Sequence, residues 1–331
     1  MGRGLRLMSR YARQMILPEV GAEGQARLAG AHVLVIGAGG LGGPVLQYLA
    51  AAGIGTLTLL DPDHVEESNL HRQVLFSMAD IGQPKAAAAR RHLQAARPDL
   101  NLHSHIEALD AENVTRYLCS ADLVVDAADS FATSYILSDA CLAAEKPLIS
   151  ASVLAQRGYV GGFCSTAPSL RALFPELPET AASCASAGVM GPVVGMIGAL
   201  QAQMALKTLL RHAPSPLGGV MQIDMAELTQ SSFRFDGAPE PETKEILRFT
   251  SPGLVPKEAQ VIDLRPKAEA PLLAMAQARR LLPAELPWAD LCPRQKTVLC
   301  CRSGLRAWRA ARALQAQGFD QIEILAMGDP A

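Results

Sequence analysis

The stretch His32–Gly42, HVLVIGAGGLG, decides the fold. HVLVI is a short run without formal charge, the pattern of a strand buried on both faces. The glycines that follow, Gly37, Gly39, Gly40 and Gly42, let the backbone turn tightly and approach a phosphate. Gly42–Ala52 then opens a helix whose first N–H groups face the turn and favour an anion. Leu57–Leu60 is the next strand, and Asp61 ends it 19 residues past Gly42, where an acid accepts ribose hydroxyls. Strand, glycine turn, helix, strand and acid together form a nucleotide site. The competing explanation, a close-packed glycine turn without a ligand, accounts for the glycines but not for Asp61.

The same alternation continues on both sides. Lys85–Ala96 is an Ala/Arg-rich helix, Leu123–Val125 a strand ending at Asp126, and Leu148–Ser150 another strand. Strands alternating with helices predict an α/β fold with a doubly wound, mostly parallel, Rossmann-like sheet over residues 1–235. The segment Asp236–Glu258 carries four prolines and mixed charge and reads as a linker. A second small α/β pattern occupies 259–331: strands Gln260–Leu264, Thr297–Cys301 and Gln321–Leu325, and a helix over Ala307–Gln317.

Composition narrows the function. At about 150 residues per domain, a chain of 331 residues suggests two domains. With 49% hydrophobic and 19% charged residues, disorder is excluded for most of the chain. A formal charge of -2 and 5% aromatic residues argue against nucleic acid as a partner. The N-terminal MGRGLRLMSRYARQ lacks the apolar core of a secretory signal. Seven glycines break the uncharged run Val33–Leu60, and Pro192, Gln201 and Gln203 interrupt Ala181–Leu206. The second run reads as a buried helix, so no membrane span is expected. The seven cysteines are odd in number and irregular in spacing, without a C-x-x-C pair. No disulfide framework follows, and a reducing cytoplasm fits best.

The identity of the nucleotide stays open on the glycine turn alone, where NAD is the default. Asn69-Leu-His-Arg-Gln73, then Gly82-Gln-Pro-Lys85, then Asp126-Ala-Ala-Asp129 argue for a triphosphate. Arg72 and Lys85 are two cations placed after the ribose acid. Hydride transfer has no need of them, whereas an α-phosphate under attack by a carboxylate accumulates charge that they offset. Asp129 can hold Mg²⁺ together with water and phosphate oxygens. Either cation alone is as easily ordinary surface charge.

Arg10-Tyr-Ala-Arg-Gln-Met-Ile-Leu17, GAGGLG, LLDPD, NLHRQ, GQPK, DAAD and SCASAGVMGP occur in an order that resembles the ThiF/MoeB/HesA family, over residues 9–235. These are bacterial relatives of ubiquitin-activating enzymes. The resemblance implies a homodimeric adenylyltransferase that uses ATP and Mg²⁺. Its substrate would be the C-terminal glycine of a small ubiquitin-fold sulfur carrier protein ending in Gly-Gly. It implies that Asp61 holds the ribose, and that Asn69, Arg72, Gln73 and Lys85 handle the phosphates. Asp129 would bind the metal, and Arg13 would reach the neighbouring subunit's phosphates. Cys184 would be a cysteine able to link covalently to the activated carrier; otherwise it is a small buried residue. A carboxylate nucleophile is already ionised at pH 7, so positioning and charge neutralisation do most of the work.

Two features depart from the family. Ser130 replaces the asparagine that follows the metal acid. Ser169-Leu-Arg-Ala172-Leu-Phe-Pro175 stands where the family has Cys-Tyr-Arg-Cys-Leu-Phe-Pro, and the second ligand pair, expected near Ser232–Glu258, has no cysteine. No structural zinc is expected.

Cys301-Arg-Ser-Gly-Leu-Arg306 follows a strand and precedes a helix, so its N–H groups can form an anion nest that stabilises a thiolate. With Val261–Arg265 as the opening strand, the region resembles a short rhodanese-like domain. That implies a sulfurtransferase carrying sulfur on Cys301 as a persulfide, loaded by a sulfur donor protein or thiosulfate. Alternation along the strand makes Cys300 the structural cysteine. The segment Leu281-Leu-Pro-Ala284 and the ending at Ala331 are abbreviated against the usual domain. The two halves together predict a carrier thiocarboxylate as product. Adenylation for peptide conjugation without sulfur, and a silent dimeric scaffold for a ubiquitin-fold partner, are the alternatives.

Overall fold

The computed structural model describes residues 10–178, 188–286 and 289–328. Its first sheet has eight strands in the order β3-β2-β1-β4-β5-β6-β7-β8. These are β1 His32–Ile36, β2 Thr56–Leu60, β3 Asn101–His105, β4 Leu123–Asp126, β5 Leu148–Leu154, β6 Arg157–Phe163, β7 Gly219–Asp224 and β8 Thr229–Arg234. Strands β3 to β5 run parallel, in register Leu59 to Val35 to Val125 to Ile149. The last three strands add antiparallel pairs. Successive connections leave β1 in opposite directions towards β2 and β4, which opens a crevice at their carboxyl ends.

The helices are α1 Gly21–Gly30, α2 Gly42–Ala52, α3 Lys85–Ala96, α4 Val114–Leu118, α5 Phe131–Ala143, α6 Leu170–Leu173, α7 Gly191–Leu209 and α8 Leu305–Gln315. Alternation along the strands divides the core. Val33, Val35, Leu57, Leu59 and Val125 pack under α2, α3 and α7 with Leu46, Leu49 and Ile197. Leu34, Ile36, Leu60 and Val124 face the other way, towards α4 and α5. α2 and α7 approach closely, because a Cβ on Gly198 would lie 2.6 Å from the Leu41 carbonyl oxygen. The helix expected within 181–206 begins at Gly191 with Pro192 in its first turn, where a missing N–H costs nothing; residues 179–187 lie outside the described residues. Gln201 is fully buried and donates to the Ile149 carbonyl across 3.2 Å, so its amide ties α7 to the sheet. Among the described residues no helix is long and apolar enough to cross a membrane.

A second, all-parallel sheet has the order β11-β10-β12-β13-β9, from β9 Arg248–Phe249, β10 Gln260–Asp263, β11 Arg279–Arg280, β12 Thr297–Cys301 and β13 Ile322–Ala326. This corrects the linker assigned to 236–258. Phe249 pairs with Ile324 in that sheet, and Leu247 and Phe249 are buried. Two apolar residues flanked by polar ones show no periodicity, so proline content outweighed them in the sequence. The two sheets also share a core. Trp308 on α8 stacks on Phe249, and both meet Tyr135 of α5 edge-on.

Candidate active site

The glycine turn sits at the mouth of the crevice. Gly37 adopts φ +97, a left-handed conformation that suits glycine, and its N–H donates to the Leu60 carbonyl at 2.9 Å. A Cβ on Gly42 would lie 1.9 Å from the Gly37 oxygen, so the turn closes only with glycine there. Asp61 is buried and accepts from the Ala38 N–H at 2.7 Å and from the Asp63 N–H at 2.8 Å. Burial pushes its carboxyl up, opposed by those donors and by the Lys85 charge.

Lys85 starts α3 and is buried, with its Nζ 2.9 Å from an oxygen of the exposed Asp63. Asp63 therefore holds the cation at the site. LLDPD contains it, but only the first acid of that run has a position that sequence reasoning can interpret.

The 69–73 segment is clamped between the turn and α7. A Cβ on Gly191 would lie 2.4 Å from the His71 oxygen, and one on Gly40 would lie 2.5 Å from Val194 Cγ1. Arg72 is half-buried, and its Nη1 lies 3.2 Å from the Ser68 carbonyl and 2.7 Å from His71 Nε2. Gln73 is buried, and its Nε2 donates to Asn69 Oδ1 at 3.0 Å. Gln73 Oε1 is buried with no partner among the described residues. Asp80 anchors the loop that follows, accepting from the Ser77 N–H and hydroxyl and pairing with Arg91 and His92. Burial works to raise its carboxyl, but these donors outweigh it and hold it at about 2.

On the β4 side, Asp126 is fully buried, with its carboxylate accepting from the Ser150 hydroxyl at 2.8 Å and the Ala128 N–H at 3.2 Å. Burial pushes it up to about 6. Asp129 is exposed at the crevice. Ser130 accepts from the Thr133 N–H at 3.4 Å and caps α5, a role that serine and asparagine fill equally well. Among the described residues no three His, Cys, Asp or Glu side chains gather as a metal site. Asp129 nevertheless fits a magnesium ion brought by a nucleotide, because such an ion takes one or two carboxylates and completes its shell with phosphate and water oxygens.

Arg13 is not brought to the turn of its own chain. It is exposed on a helical segment over residues 10–15, where the neighbouring Gln14 donates to the Ala52 carbonyl at 3.0 Å. That is the far end of the 11-residue α2 from Gly42. Cys184 lies outside the described residues. Where the family carries its first zinc ligands, Ser169 caps α6 and bonds Glu240 twice, its N–H at 2.6 Å and its hydroxyl at 2.5 Å. Glu240, a lone acid between two prolines, carries no local signal in the sequence, because its partner Ser169 lies 71 residues away.

Cys301 ends β12 and is fully buried, with the Ala307 N–H pointing at its Sγ from 3.4 Å. Gly304, at φ +86, turns the chain into α8. Cys300 faces the opposite side, beside Val261, Val298 and Leu325. Burial pushes the Cys300 thiol up to about 12. The alternation expected of the two cysteines holds, but burial does not separate them, because the second sheet's core closes over both.

Residues 11–244 match the ThiF family. The chain is 45% identical to a sulfur carrier protein adenylyltransferase of Thermus thermophilus, over 69% of this chain and 86% of that protein. It is 40% identical to a SAMP-activating enzyme E1 of Haloferax volcanii, over 67% and 83%. It is 42% identical to an adenylyltransferase and sulfurtransferase MOCS3 of Drosophila willistoni over 65% of this chain, but that match spans only 48% of the relative. Among solved structures, E. coli MccB with MccA-N7isoASN superposes with a TM-score of 0.62 at 25% identity, over 69% of this chain and 72% of that one.

Proposed function

The chain belongs to the ThiF family, and from that premise we propose that it adenylates the C-terminal glycine of a ubiquitin-fold sulfur carrier protein and then delivers sulfur to it from Cys301. One observation carries the first step: Lys85 and Arg72 flank a glycine turn at the β1/β4 crevice, and Lys85 pairs at 2.9 Å with Asp63, whose N–H donates to Asp61. The carrier carboxylate attacks the α-phosphorus of ATP, and pyrophosphate leaves. Lys85 and Arg72 offset the charge that builds on the phosphates, and the positive end of the α2 dipole favours the same anion. Asp61 receives the ribose, while Asn69 and Gln73 line the side of the pocket. Asp129 would hold magnesium, which when bound neutralises phosphate charge. Arg13, remote from its own turn, serves the partner subunit's site in a homodimer.

In the second step the outer sulfur of a Cys301 persulfide attacks the acyl carbon and AMP leaves. A thiol reductant then cleaves the acyl disulfide, releasing the carrier thiocarboxylate. The Ala307 N–H aimed at Cys301 Sγ and the name of the MOCS3 relative support this reading. A sulfur donor protein or thiosulfate would reload the cysteine.

ATP–pyrophosphate exchange tests the first step, measured with and without a ubiquitin-fold carrier ending in Gly-Gly. Carrier-dependent exchange that is lost in Asp129→Ala is expected. No exchange in the wild-type protein with any such carrier refutes adenylation. Cyanide-trappable sulfur transfer from thiosulfate, lost in Cys301→Ser, tests the second step.

A further inference from the structure

Gln73 holds an unanswered acceptor inside the candidate site. Its residue is only 4% exposed, and Oε1 is buried without a partner among the described residues. The other end of the amide is committed, because Nε2 donates to Asn69 Oδ1 at 3.0 Å. That Nε2 is 3.6 Å from the place a Cβ on Gly39 would occupy, so the amide's nitrogen end lies beside the glycine turn and Oε1 is one amide width from it. Buried acceptors in native proteins find a donor, and one left without a protein donor at a substrate site points to the substrate.

The donors available there are few. The phosphates of ATP offer acceptors only. Its ribose hydroxyls fall to Asp61, and its adenine amine lies beyond the ribose from the phosphates. The carrier's reacting carboxylate is also an acceptor. The next group along the carrier is the N–H of its last peptide bond, two bonds from the carboxyl carbon that must meet the α-phosphate. We infer that Gln73 Oε1 accepts this N–H and so aligns the carrier's terminal glycine, a specificity role that rests on the adenylation reading. Gln73 would thus read the nucleophile's backbone, while Arg72 and Lys85 read the phosphates.

The experiment compares two versions of one ubiquitin-fold carrier ending in Gly-Gly, prepared by ligation. One has the natural last amide, and the other has that amide replaced by an ester, which removes the N–H without adding bulk. Both are assayed by ATP–pyrophosphate exchange on wild type and Gln73→Met. On the wild type, the ester should raise the carrier KM about tenfold, the worth of one hydrogen bond to a buried amide, and leave the ATP KM unchanged. Gln73→Met should raise the natural carrier's KM by a similar factor and abolish the difference between amide and ester.

A Gln73→Met variant that instead raises the ATP KM, with the ester penalty intact, would show the amide turned round to donate to phosphate, and would overturn the inference. A wild-type enzyme indifferent to the ester overturns it too, because water then satisfies Oε1. Gln73→Leu replaces the methionine variant if the latter does not fold. Wild-type exchange with the natural carrier separates this failure from that of adenylation itself.

Discussion

Lys85 is a cation held largely out of water, and its ion-pair partner, Asp63, is exposed. Burying an ammonium group is costly unless a counter-charge answers it, and a phosphate in the crevice would supply a stronger one. Lys85→Met should therefore fold and lower kcat/KM for ATP by about a hundredfold or more, measured by pyrophosphate exchange. Two buried aspartates carry opposite pH signatures. Asp80 sits at about 2, below its unfolded value near 4, so its contribution is present above pH 4 and lost as pH falls towards 2. Asp126 sits at about 6, above its unfolded value, so the native state loses stability as pH rises from about 4 to 6. Melting curves should show Asp80→Asn closing on wild type as the pH drops towards 2. Asp126→Asn should gain on wild type between pH 4 and 7, by up to about 3 kcal/mol.

At the scale of elements, the Ser169–Glu240 pair fastens the start of α6 to the chain beyond β8, where the family uses a metal. Ser169→Ala and Glu240→Gln should each cost about 1 kcal/mol and should not add, as a double-mutant cycle in urea would reveal. A chelator should leave the melting temperature unchanged. The same segment marks how far the sequence could be read. Strands β1, β2, β4 and β5 and the glycine turn were legible because buried strands and tight turns impose strict residue types, whereas the edge strand β3, NLHSH, was not. The antiparallel half was not. β6 reads RGYVGGF, where glycine replaces branched residues as a Cβ on Gly162 would lie 2.6 Å from the Pro216 oxygen, and β8 reads TQSSFR and is exposed throughout. Such strands are made by their neighbours rather than by propensity. Asp63 and Glu240 were illegible for a similar reason, since their meaning lies in partners 22 and 71 residues away.

On the scale of the whole molecule, the second sheet is joined to the first by aromatic packing rather than by a tether. Arg171 lies 4.6 Å from the Tyr135 ring centroid and pairs with Asp139, and Trp308 donates to Glu176 at 2.9 Å. Trp308→Ala should cost about 3–5 kcal/mol and expose both sheets at once. Calorimetry of the wild type should accordingly give one unfolding transition, and two well-separated transitions would contradict the shared core.

Cys301 lies within that shared core, without solvent exposure. A thiol so placed meets reagents only when the surrounding structure opens, so its alkylation by iodoacetamide becomes a clock for that opening. Sulfane sulfur is easily over-oxidised, and a sulfur stored at this depth would be spared peroxide along with every other small molecule. The cost of that shelter is tempo: sulfur can enter or leave only as often as the protein breathes.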